Sequence, residues 1–262
     1  MSKENDKEKK KVKSIVDRLK YVINENKEII DGQLRNHENK IFGSIVLKFY
    51  YHISELESAI RYHISRGELY SAKILLRCLI EHLATIQYIW CREHLLHDEN
   101  LTPELYFIAY RAAENIKRFG FDNKVKRILD ENIEKDTVKA YSLEKDQEPS
   151  VSQKILSVAA QFDLHNMVAF LVKSDVLNQV LGGFNELFLE SLNDYNFLSS
   201  YVHGGPSALF WDEEKDSYDE EKISSDLDVF VGIMMKILIW TYTRSSKDNS
   251  LEEQSRHVDE IT

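Results

Sequence analysis

Two charged residues four positions apart, Arg77 and Glu81, interrupt a stretch that is otherwise largely apolar. On a helix that spacing puts both side chains on one face, close enough to pair. A guanidinium can stabilise charge developing on a phosphate, and a carboxylate beside it can orient it or a neighbouring base. An ordinary ion pair would look the same, because a charge between two apolar flanks needs a partner whether or not it has a function. A second candidate is His203, in the run Leu198, Ser199, Ser200, Tyr201, Val202, His203, Gly204. An imidazole just before a glycine break can cap the last carbonyls of a helix or face a cleft as acid or base. Ser199 and Tyr201 offer hydroxyls for hydrogen bonds nearby.

Other groupings carry less. Cys91, His94 and His97 follow one another at three-residue steps. Such a series drifts about 60° per step around a helix, so three ligands converge poorly on one ion. No metal and no cofactor is expected. The sequence contains no GxGxxG, P-loop, HExxH or GxSxG, which removes the usual signatures of dinucleotide oxidoreductases, P-loop enzymes, gluzincins and α/β-hydrolases. The acidic stretch 212–221 lacks the ligand alternation and central glycine of an EF-hand.

The elements that must position these groups are helices. Three prolines and nine glycines in 262 residues are too few for the many turns of a β fold. A hydrophobic share of 43% is enough for one substantial core. Val46, Phe49, Tyr50, Ile53, Leu56 and Ile60 keep three-and-four spacing, and Gly67 supplies a stop. A second helix, from about 68 to 97, carries Ala72, Leu75, Leu79, Leu83, Ile86 and Trp90 in a heptad-like seam. Its other flank, Leu76, Ile80 and Ala84, is also apolar, so this helix should lie centrally and pair antiparallel with the first. Thr102 and Pro103 open another helix that closes near Gly120, followed by a short charged one at about 123–133. Further helices are expected over 150–162, 166–181, 184–201 and 223–243. The division expected is a charged helical extension over 1–43, a bundle domain over 44–243 with a mobile polar connection at 134–149, and a polar tail over 244–262.

Charge and cysteine usage narrow the setting. Cys78 and Cys91 sit on one helix roughly 20 Å apart and cannot bridge. With no leader-like start and no run of eighteen apolar residues, a reducing cytoplasm and no membrane span are expected. A net charge of -10 disfavours non-specific binding to nucleic acid, and the early lysines alternate with Glu4, Asp6 and Glu8 as on a solvated face.

The helix bearing Arg77-Cys78-Leu79-Ile80-Glu81, with the later Leu198-Ser199-Ser200-Tyr201-Val202-His203-Gly204, resembles a prokaryotic helical family with an R-x-x-x-E helix and an S-x-x-V-H-G-like helix end. It is similar to the broader HEPN (higher eukaryote and prokaryote nucleotide-binding) group. The resemblance implies an all-α, HEPN-like multi-helix bundle around the central antiparallel hairpin, a homodimer, and a role in prokaryotic defence or stress. It also implies metal-independent ribonuclease activity through an R-x(4-6)-H motif. Arg77 and His82 satisfy that spacing, yet on one helix they point about 140° apart. No arginine precedes His203 at that spacing.

Three functions follow. The first is a binding or scaffold protein whose Arg77, Glu81 and His203 form a polar site, with Ser199, Tyr201 and His82 as secondary contacts and a protein as partner. The second is an endoribonuclease in which His203 is the base and Arg77 stabilises the phosphate. The third is a sensor of a small ligand or nucleotide.

Overall fold

The computed structural model describes residues 3–35, 40–95, 108–113, 149–174, 177, 180–202 and 219–245. Among them every regular element is helical and no strand occurs, so the fold is all-α. The helices are α1 (Lys3–Glu25), α2 (Lys27–Arg35), α3 (Lys40–Ser65), α4 (Leu69–Leu95), α5 (Pro149–Ala159), α6 (Leu164–Val172), α7 (Gly183–Ser191), α8 (Tyr195–Val202) and α9 (Glu220–Ser245).

The central hairpin is formed by α3 and α4. Gly67 has φ 70°, a left-handed conformation that costs glycine least. Its N–H donates to the Ile64 carbonyl at 2.9 Å, and the Glu68 N–H reaches back to the His63 carbonyl at 2.9 Å, the paired bonds of a Schellman stop. Glu68 holds the turn from outside: its carboxylate accepts from Arg66 Nε at 2.7 Å and lies 2.7 Å from His63 Nδ1. Those two hydrogen bonds lower the Glu68 pKa below the usual carboxylate value.

Both flanks of α4 are buried, as the sequence pattern requires. Ala72, Leu79, Leu83, Ile86 and Trp90 of the seam and Leu76, Ile80 and Ala84 opposite are fully enclosed. The helix therefore packs on α3, α6, α8 and α9 at once. Leu69–Glu93 is long and apolar enough to cross a membrane by length and composition alone, but 67% of that window is buried within the bundle. α9 completes the core with Leu227, Phe230, Met234, Ile237 and Leu238, and its Trp240 ring stands edge-on to Trp90 at 4.8 Å. Gly232 lets α7 approach closely, since a Cβ there would lie 2.3 Å from Phe184 Cε1.

α1 and α2, within the stretch expected as a charged extension, bury Val12, Ile15, Val16, Leu19, Ile23, Ile30 and Leu34, while Lys10, Lys11 and Lys13 stay exposed on α1. Glu57 of α3 anchors α1, accepting from Lys20 at 2.5 Å, and also accepts from Arg61 Nε at 2.8 Å. Arg61 Nη2 continues to Asp228 of α9 at 2.6 Å, so one chain of ion pairs joins α1, α3 and α9.

Two expected helices divide. The helix expected over 166–181 ends at Val172, where the Lys173 N–H closes a tighter turn on Phe170. The one expected over 184–201 breaks into α7, a 3₁₀ turn at Leu192–Asp194, and α8. Asn193 and Asp194 favour such turns because their side chains compete for backbone groups. The break re-aims α8 along α4. The expected helices near 103–120 and 123–133 fall outside the described residues except for a helical stretch at 108–113, and the connection at 134–149 lies outside up to Pro149.

Candidate functional site

Along one face of α4 a polar stripe recurs every four residues: Lys73, Arg77 and Glu81. α8 runs antiparallel over this face and supplies the partners. At its start, Tyr195 meets Arg77 and Glu81; at its end, Tyr201 meets Tyr70 and Lys73.

Arg77 Nη2 donates to Glu81 Oε1 at 2.8 Å and to Tyr195 Oη at 3.0 Å. The Tyr195 hydroxyl in turn donates to Glu81 Oε1. The three groups close a triangle, and the guanidinium lies over the Tyr195 ring, 5.2 Å from its centre. The Arg77 side chain is only 15% exposed, whereas Glu81, at 38%, opens to solvent. Arg77 Nε is buried and has no hydrogen-bond partner among the described residues. Burial, then the hydrogen bond to Glu81 and its charge, pushes the Tyr195 phenol up to about 12, with Arg77 opposing. Tyr195 is thus a firm donor near neutrality, not a nucleophile or base.

A turn and more away, Lys73 is fully buried and reaches Tyr201 Oη at 3.4 Å, its ammonium 4.8 Å from the Tyr201 ring centre and 5.7 Å from that of Phe197. Tyr70 Oη donates to the Tyr201 carbonyl at 3.0 Å. These contacts clamp the far end of α8 by hydrogen bonds and cation–π attraction.

Of the residues expected from sequence, Arg77 and Glu81 are brought together. Tyr201 sits with Lys73 and Tyr70 instead, and Ser199 is half-buried on the same short helix. His82 faces α3, where its Nε2 lies 3.2 Å from His52 Nε2. His203 lies outside the described residues, as do His97 and the side chain of His94. Cys91 is buried, and burial raises its thiol to about 12, leaving it inert. Tyr195 and Lys73 were missed. The four-residue repeat of polar groups through an apolar helix was a signal for Lys73; nothing in the sequence marks Tyr195 among neighbouring aromatics.

Fold and site together define an all-helical bundle with a half-buried Arg–Glu–Tyr cluster between its central helix and a short helix laid across it. The chain belongs to DUF5677, a family of unknown function, whose model matches residues 43–218, well over half of its length. The match covers α4 and α8, and so both halves of this cluster. No curated protein and no solved structure matches the chain.

Proposed function

We propose that the chain is a HEPN-like helical binding or scaffold protein in which Arg77, Glu81 and Tyr195 form a structural clasp fixing α8 on α4. The observation that carries this reading is the closure of the triangle. Both donors converge on Glu81 Oε1, and the guanidinium is turned into the protein with 15% of its side chain exposed. A transition-state-stabilising arginine needs donors aimed at open space where a phosphate would sit. In this reading the protein works in the cytoplasm as a homodimer, with a role in prokaryotic defence or stress taken from the resemblance. The net charge of -10 favours a protein partner over RNA.

A second reading, a metal-independent endoribonuclease using Arg77 and His203, is favoured by one observation: Arg77 Nε, which has no partner among the described residues, is a donor that a phosphate could engage if the side chain turned outward. The two readings separate in one assay. Purified protein, Arg77→Ala and His203→Ala are incubated with a labelled RNA pool in chelator, and their melting temperatures are recorded. The clasp predicts no cleavage and a melting temperature several degrees lower for Arg77→Ala, at about 2–4 °C per kcal/mol for a chain of this size. Cleavage abolished in both variants at unchanged melting temperature would establish the ribonuclease.

A further inference from the structure

On the face of α4 turned to α3, next to the Glu81 end of the clasp, two histidines meet at the same height. His52 and His82 stand fifteen residues either side of Gly67, on opposite arms of the central hairpin. Their Nε2 atoms are 3.2 Å apart, their ring centres 4.6 Å apart, and the ring planes cross at 86°. The nitrogens are nearer than the ring centres, so the two rings meet at their Nε2 atoms, where one ring donates a hydrogen bond to the other. Two nitrogens bound to one tetrahedral ion, each about 2.05 Å from it, lie about 3.3 Å apart. We propose that His52 and His82 form a two-imidazole site for a divalent transition-metal ion, with Zn²⁺ the reference occupant and water completing the coordination.

The surroundings fit that chemistry. Both ligands stand on long packed helices, which hold side chains more firmly than loops do. Phe49 packs against the His82 ring at 6.2 Å between centres, while the His52 side chain is 49% exposed and reachable from solvent. Glu55 Oε2 lies 3.8 Å from His52 Nδ1, on the side where a ligating histidine usually finds a carboxylate. Binding requires both Nε2 lone pairs to be free, so the ring proton of each moves to Nδ1, which on His52 faces Glu55. Imidazole selects Zn²⁺, Ni²⁺ or Cu²⁺ over Mg²⁺ or Ca²⁺. Among the described residues no group of three or more His, Cys, Asp or Glu converges on one point, so the protein contributes two ligands and the site is weaker than a closed structural one.

The test is calorimetric titration of the tag-free, chelator-stripped full chain with Zn²⁺, and with Mg²⁺ as control. His52→Gln and His82→Gln are compared with His63→Gln and His165→Gln. The expected result is Zn²⁺ binding that weakens at least about tenfold in each site variant, is unchanged in the other two, and is absent with Mg²⁺. Zn²⁺ binding that persists in His52→Gln, a half-exposed position where folding is not at stake, would overturn the proposal. So would the absence of Zn²⁺ binding by the unsubstituted chain.

Discussion

The Tyr195 hydroxyl lies 3.0 Å from Arg77 Nη2, bridging the seam between α8 and α4. It accepts from the guanidinium while donating to Glu81, so one atom serves both members of the ion pair. Tyr195→Phe keeps the ring under the guanidinium and removes both bonds. We expect a loss of about 1–2 kcal/mol, read from chemical denaturation at pH 7, because a partly buried acceptor and donor are each left short of a partner.

Alkaline pH probes the same hydroxyl. Its folded pKa, about 12, stands above the 10.0 of a free tyrosine, so the folded state holds this proton more tightly than the unfolded one. The stability contributed is complete below about pH 10 and is lost as pH rises toward 12. Ultraviolet titration should show a tyrosine ionising near pH 12 that disappears in Tyr195→Phe; Tyr51, raised to about 12 by burial and its Asp31 bond, should remain.

Acid acts on His82 in the opposite direction. Its pKa is lowered from 6.5, first by burial and then by His52, so the folded state binds this proton less readily than the unfolded chain. The associated stability is present above about pH 6.5 and is lost as pH falls through the folded value. In proton NMR the His82 ring should titrate below the ordinary histidine range. In His52→Gln its midpoint should move upward.

Gly232 supports α9 against α7. Alanine would normally stabilise a helix interior, but here its Cβ would meet Phe184 at 2.3 Å. We expect Gly232→Ala to lose about 1–3 kcal/mol by overpacking, and Phe184→Leu to restore part of that loss. Thermal unfolding of the single and double variants measures both.

The long helices were legible because their apolar period runs unbroken: Ala72 to Trp90 repeats over about five turns, and Leu227 to Leu238 over about three on α9. The Gly67 stop was legible because positive φ singles out one residue type. The break at Leu192–Asp194 was not, since aromatic and apolar residues on both sides carry the period through it. Arg77 and Glu81 declared themselves by charge on an apolar helix. Their third partner did not, because the meeting of Tyr195 with residues 114 and 118 positions earlier depends on how α8 is laid across α4. The pairing of His52 with His82 follows from the hairpin register, which becomes readable once Gly67 is fixed as its centre.

A double-mutant cycle between Arg77→Ala and Tyr195→Phe tests the clasp most directly. Each variant should destabilise the fold and the double variant should lose less than the sum, with a coupling of about 1 kcal/mol or more. Arg77→Ala at unchanged stability, with effects that simply add, would contradict a structural clasp and return Arg77 to the role of a group held ready for a ligand.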